Sequence, residues 1–302
     1  MKKVKTILKK YTGEISNDME LDIYSKKVKF IDYLYTIVYS AIHNCDLTDT
    51  ALNNKISKGW LSKLNKNKSY IPFMLVFLKL LYGYIKAHDY KMYSKYMRII
   101  GIDSTFIKTF INGSGKYHGT NINGIKIHTS SIVYPYIIPI GFKLSSANEN
   151  DSRFFNDLLK SMDDNIINSS ILVFDLGYYN LERFKELKNK NILFVSRVKR
   201  NAVYESIDEI NGHEIIEFKN GLKLRIVRAM INNEEYTYIT NILKLPDKYM
   251  VYAYNLRWNM EEFFKTMKSQ LKIKHLISKS INGIIIQIFF IFHSIYCFKN
   301  SY

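Results

Sequence analysis

Late in the chain, Tyr254, Arg257, Glu261 and Lys268 stand at spacings of three, four and seven residues. Over YNLRWNMEEFFKTMKSQLK, residues 254 to 272, a helical turn of about 100° per residue divides the stretch into two faces. Tyr254, Arg257, Glu261, Lys265, Lys268 and Lys272 fall within roughly 80° of one another, while Leu256, Met260, Phe263 and Met267 gather opposite. One face is core. The other holds a single carboxylate among one arginine and three lysines, more positive charge than solubility needs, so a polyanion is expected along it. Two further acids close apolar runs: RIIGID ends on Asp103 and ILVFD on Asp175. A carboxylate at the C-terminal edge of a strand sits where open α/β sheets receive ligands. Each aspartate has an alternative role as a turn or helix cap. For Asp175 that role is redundant if the next helix starts after Asn180, and near Asp103 the hydroxyls of Ser104 and Thr105 can serve instead.

The pattern Tyr254-x2-Arg257-x3-Glu261-x6-Lys268 resembles the Y-R-E-K signature of insertion-sequence-4-type transposases, which have a ribonuclease H-like catalytic domain and a DDE active site. The resemblance covers about Met97 to Phe298. It implies Asp103, Asp175 and Glu261 as the catalytic and metal-binding acids, and contacts from Tyr254, Arg257 and Lys268 to the transposon end. Lys265 and Lys272 share that face and are expected to touch DNA as well. Displacement at phosphorus needs an activated water, a stabilised leaving oxygen and charge compensation, which two Mg2+ ions supply, with Mn2+ as a substitute. Magnesium takes few carboxylate oxygens and keeps several waters, so three acids from separate elements are enough ligands. Cleavage at terminal inverted repeats and strand transfer to target DNA would follow. The implied partner is double-stranded DNA, and cutting two ends together implies a homodimer on it. The opposing reading is a DNA-binding protein without catalysis, either a decayed copy or a repressor.

Composition fits that partner. Across 302 residues, 47% hydrophobic and 24% charged, the chain suits a folded protein and not a disordered one. A formal charge of +17 and a pI near 9.5 point to nucleic acid first and an acidic membrane surface second. Cys45 and Cys297 lie far apart, which leaves neither a disulfide framework nor a CxxC zinc site. His118 and His128 are too isolated to suggest zinc. The basic N-terminus lacks the apolar core of an export signal, so a prokaryotic cytoplasmic, nucleoid-associated protein is expected. Ile281 to Phe298 carries no charge but contains Asn282, Gln287, His293 and Ser294, which favours a helix covering an open core face over a membrane span.

The elements that must position these residues read as a helical domain, 1–95, and an α/β ribonuclease H-like mixed sheet, 96–302, interrupted at about 199–239 by a β-rich insertion. From Lys55 to Lys95 nine lysines face one acid, Asp89. Residues 50 to 64 read equally as a helix-turn-helix around Gly59, with Trp60 and Leu64 as its core, and as a plain helical hairpin. Strands are expected at 98–103, 125–134, 138–147, 171–175 and 192–198, with helices at about 152–162 and 181–188 between them. In the insertion, Asn220-Gly221 and Asn232-Asn233 mark hairpin turns. Related transposases with hairpin intermediates often carry a base-stacking tryptophan in this insertion; here there is none, and Tyr204 and Tyr236 are weak substitutes, which counts against a hairpin route. Glu262, Asp151 and the pair Asp163-Asp164 read as surface acids, the last pair as a helix end.

Overall fold

The computed structural model describes residues 2–22, 28–43, 45–92, 97–109, 114–117, 120–134, 137–269 and 280–299. In chain order, the helices α1 (Lys2–Asp18), α2 (Phe30–His43), α3 (Leu47–Asn53), α4 (Lys58–Asn67) and α5 (Ile71–Met92) come first. They precede strands β1 (Arg98–Lys108), β2 (Gly115–Lys116), β3 (Asn123–Tyr134) and β4 (Ile138–Ser146). Then come α6 (Phe155–Lys160), α7 (Asp164–Asn168), β5 (Ser170–Phe174), α8 (Leu181–Asn189) and β6 (Leu193–Arg197). Strands β7 (Tyr204–Ile210), β8 (His213–Phe218), β9 (Lys223–Ile231) and β10 (Glu234–Thr240) lead to α9 (Asp247–Asn255), α10 (Asn259–Ser269) and α11 (Ile281–Lys299). Two compact units divide these elements: 1–95 with 107–125 and 264–302, and 96–106 with 126–263.

The first unit is largely helical. Its α11 packs with α2, α4 and α5, so the apolar C-terminal stretch closes the core of the helical unit. The reason lies in its aromatics: Phe290 meets Phe73 at 5.2 Å, and Phe289 and Phe292 flank Phe77 at 5.5 and 5.7 Å. Asn282 also donates to the carbonyls of Asn65 and Lys68. Among the described residues no helix is long and apolar enough to cross a membrane. Helices α3 and α4 start on the caps Asp46 and Ser57 and join through Lys55 at φ 55°. Gly59 therefore lies inside α4 and not at the joint. The buried positions of α4 are Leu61 and Asn65, with Trp60 and Leu64 half-buried.

The second unit is built on a mixed sheet in the order β3-β1-β5-β6-β10-β9-β8-β7, with β4 on the outer side of β3. Strand β5, SILVF, is buried at every position, as a central parallel strand covered on both faces must be. It pairs in parallel with β1 and β6. The β-rich insertion continues this sheet, because β10 pairs antiparallel with β6, Ile239 opposite Ser196. Asn232 and Asn233, at φ 50° and 66°, make the expected hairpin turn. A further hairpin turns at Asn211-Gly212, φ 55° and 74°, and brings in β7. That strand, YESIDEI, is exposed at six of its seven positions, which removes the apolar alternation that marks a strand in sequence.

Where local chemistry departs from expectation, capping is the cause. Asp163 accepts from the N–H of Asn165 and so starts α7; it does not end a helix. The 254–272 stretch is not one straight helix either. Helix α9 ends at Asn255, a 3-10 turn covers Leu256–Trp258, and α10 begins at Asn259. Asn259 donates its side-chain N–H to the carbonyl of Val133 at 3.0 Å, which fixes the start of α10 against β3. Met260, fully buried, fills the space over Gly101, where a Cβ would come within 2.8 Å of its Cγ. Burying such a side chain contributes about 2 kcal/mol, and here it seats α10 two residues before Asp103.

Candidate active site

The β1–β5 pairing runs in register from Arg98 opposite Ser170 to Ile102 opposite Phe174. Asp103 and Asp175 are the next residues on each strand, so two carboxylates leave neighbouring parallel strands at the same level. Asp103 is not a strand end, since β1 continues to Lys108. It is the point at which β1 outruns its parallel partner. Its Oδ1 accepts from the N–H of Ser104 at 2.8 Å. Asp175 does serve as a cap: it accepts from the N–H of Gly177 at 2.9 Å and holds the 3-10 turn Leu176–Tyr178.

Burial, and then the charge of Asp175, push the Asp103 carboxyl up to about 6 against the pull of Arg257. Asp175 is likewise raised, by burial first, with Arg257 and the Gly177 N–H opposing. Arg257 supplies the compensating charge. Its Nη1 donates to Asp103 Oδ2 at 2.9 Å, and its Nη2 lies 3.7 Å from Glu261 Oε1. The guanidinium thus stands between a β1 acid and an α10 acid. Glu261, with 38% of its side chain exposed, faces this arginine from one helical turn away, as the i,i+4 spacing requires. Trp258, next to Arg257, is 60% exposed.

The structure therefore brings Asp103, Asp175, Arg257 and Glu261 together. Tyr254 sits elsewhere on the same arginine: its ring is buried against Tyr238 at 5.0 Å, the Arg257 guanidinium lies over it at 5.8 Å, and burial raises its hydroxyl to about 12. Lys265 and Lys268 continue along α10, exposed and half-buried respectively. Lys272 and His118 lie outside the described residues. Tyr204 packs on Phe218, and Tyr236 lies under Arg197 at 4.6 Å.

In donor type and charge, three carboxylates, two of them raised chiefly by burial, fit a hard divalent cation. They do not close on a single point, however. Among the described residues no three His, Cys, Asp or Glu side chains form a group that could hold an ion, and Arg257 lies between Asp103 and Glu261.

Asp151, which reads as a surface acid in sequence, belongs to the surroundings of this site. Lys126 Nζ pairs with it at 3.0 Å, and its charge contributes to the rise of Asp175. A Cβ on Gly177 would meet Asp175 Oδ1 at 3.0 Å and Asp151 Oδ2 at 3.6 Å. Gly177→Ala should therefore displace the Asp175 carboxylate by a few tenths of an ångström. We expect any metal-dependent cleavage to fall by about tenfold, with duplex binding unchanged in the same preparation. A variant as active as the parent would show that Asp175 needs no such close turn.

A ribonuclease H-like mixed sheet with two acids at the same level of adjacent parallel strands and a third acid on a later helix places the chain in one structural class. Within it, the chain belongs to the transposase DDE domain family, whose model matches residues 95–297. It is 26% identical over 204 residues to a Synechocystis sp. protein named as a transposase for insertion sequence element IS4SA, covering 64% of this chain and 57% of that one. It is also 25% identical over 210 residues to the Sinorhizobium fredii protein named as transposase y4zB, covering 62% and 56%. The matched part thus spans a little over half the length of these relatives. A third similarity, 36% over 99 residues, is to an RNA polymerase II subunit homolog of Invertebrate iridescent virus 6. It covers only 9% of that protein, too little to bear on function.

Proposed function

We propose that the chain is a DDE transposase of an insertion sequence, cleaving DNA at terminal inverted repeats and joining the freed 3′ ends to target DNA. The observation that carries this reading is the pair Asp103 and Asp175 on adjacent strands, with Glu261 reached through Arg257. Bound between these acids, Mg2+ or Mn2+ would activate water and compensate charge at phosphorus. Asp103, Asp175 and Glu261 would be the residues that hold the ions. For that, Arg257 must turn away from Asp103, and a DNA phosphate is the partner suited to receive its guanidinium. Lys265 and Lys268 would hold further phosphates along α10, with Lys272 as a further phosphate contact in the sequence beyond it, and Tyr254 would brace Arg257 from the buried side. Cutting two ends in concert calls for two copies of the site, hence a dimer on DNA.

The test is incubation with duplex DNA carrying the inverted repeats that flank its reading frame, in Mg2+ or Mn2+. Cleavage at the repeat boundary leaving 3′ hydroxyls supports the reading. Firm binding without cleavage in either metal turns it into that of a non-catalytic DNA-binding protein. Because the charge is +17, duplex affinity should also fall steeply with salt, by a factor of about 10^3 or more between about 50 and 200 mM. A flat response would remove DNA as the main partner.

A further inference from the structure

Arg257 holds two acids that a cation would have to share. Its Nη1 donates to Asp103 Oδ2 at 2.9 Å, and its Nη2 lies 3.7 Å from Glu261 Oε1. The other Asp103 oxygen, Oδ1, accepts from the Ser104 N–H at 2.8 Å, so both oxygens of this carboxylate already carry a donor. Packing fixes the arginine in the bridge as well. Only 12% of its side chain is exposed, and the rings of Tyr254 and Trp258 lie 5.8 and 5.9 Å from its guanidinium carbon. A divalent ion entering between Asp103 and Glu261 would meet a like charge at contact distance, in a site where burial leaves that repulsion poorly screened.

The bridge is nevertheless incomplete. Among the described residues Arg257 Nε is buried without a hydrogen-bond partner, a cost that a fully satisfied guanidinium does not carry. Its open end is the side of Glu261, 38% exposed, and of Trp258, 60% exposed. A phosphate arriving there offers parallel oxygens that a guanidinium takes two at a time. Reaching it asks only for rotation of the side chain, because the 3-10 turn Leu256–Trp258 and the bond from Asn259 to the Val133 carbonyl hold the backbone.

We propose that Arg257 makes metal loading depend on DNA: without a phosphate it bridges Asp103 and Glu261 and keeps cations out, and a bound DNA phosphate draws it off and frees both carboxylates. The proposal rests on the metal-binding reading of those acids. One carboxylate oxygen cannot serve the guanidinium and a metal ion equally well, so the two occupancies exclude one another. Removing the arginine to DNA is therefore worth a factor in metal affinity, and by linkage the metal returns the same factor to DNA affinity. The chain would then be loaded for cleavage only where a phosphate already lies at the acids.

The test is Mn2+ binding to the full chain, read from the loss of the free-ion electron paramagnetic resonance signal, with Asp103→Asn on the same duplex as the background for ions held by DNA alone. Duplex should tighten Mn2+ binding to the parent by about tenfold, and Mn2+ should tighten duplex binding by the same factor. Without DNA, Arg257→Gln should bind Mn2+ about tenfold more tightly than the parent, and duplex should then add little. Arg197→Gln controls for charge alone. That guanidinium lies over the Tyr236 ring at 4.6 Å, and its loss should leave Mn2+ affinity within about twofold of the parent. If Arg257→Gln proves poorly folded, the reciprocal shifts in the parent still carry the test. Four results would each overturn the role of Arg257 while leaving the metal site standing: a parent with the same Mn2+ affinity on and off duplex, a folded Arg257→Gln that binds Mn2+ no tighter than the parent, a duplex effect of full size in that variant, or equal tightening in Arg197→Gln. If neither the parent nor Arg257→Gln binds Mn2+ better than Asp103→Asn does, with or without duplex, the metal reading and this proposal both fall.

Discussion

Glu261→Gln is expected to lower metal-dependent cleavage by about three orders of magnitude or more while leaving duplex binding intact. Glutamine keeps the size and helix propensity of the residue in the first turn of α10, so the packing of Met260 and Phe263 beneath it is undisturbed. What disappears is the charge, which a hard cation requires of its ligands. Binding should tighten slightly, because Glu261 is the acid on an otherwise basic face and Arg257 loses one of its two carboxylate partners. Glu262→Gln is the control. It is exposed, about 100° further round the helix, and should change neither property. Gel assays of cleavage and of binding on the same duplex separate the two effects. Loss of cleavage in Glu262→Gln with a silent Glu261→Gln would show that the face of α10 has been misjudged.

The spacing of Arg257 and Glu261 was readable because both lie within one turn of a helical segment, where sequence separation converts directly into position. The strands around Asp103 and Asp175 were readable for the same reason, as buried parallel strands leave continuous apolar runs. What sequence could not carry was non-local. Tyr254 is placed on the basic face by spacing, but a 3-10 turn at Leu256–Trp258 and a ring partner on β10, Tyr238, put it in the core. Asp151 reads as a loop acid because its partner Lys126 stands twenty-five residues earlier on β3. Strand β7 carries too little apolar alternation to be seen, and α11 reads only as a cover for an open core face because nothing in its own sequence names the rings it meets on α5. One signal was present and unused: a glycine two residues after Asp175, the spacing at which an aspartate caps its own turn.

Asp103→Asn should separate function from stability in opposite directions. Free of metal, the native chain holds this carboxyl at about 6, against an ordinary value of 3.8. Between those values the folded protein binds more protons than the unfolded chain, so stability falls as pH rises through the window and the loss is complete above about pH 7. With only 14% of the side chain exposed, a shift of about two units corresponds to roughly 3 kcal/mol. Asparagine mimics the protonated acid and escapes this loss, at the expense of a charged partner for Arg257. Urea unfolding in chelator should therefore find Asp103→Asn more stable than the parent at pH 8, by up to about 3 kcal/mol, and the two nearly equal at pH 4. Cleavage by the variant should be undetectable. Adding Mg2+ at pH 8 should narrow the gap by stabilising the parent alone, since a ligand that binds only the folded state raises its stability. A parent chain that gains stability relative to Asp103→Asn from pH 4 to pH 8 without metal would mean that Arg257 already satisfies the acid. The pair would then be a structural salt bridge and not a site held ready for a cation.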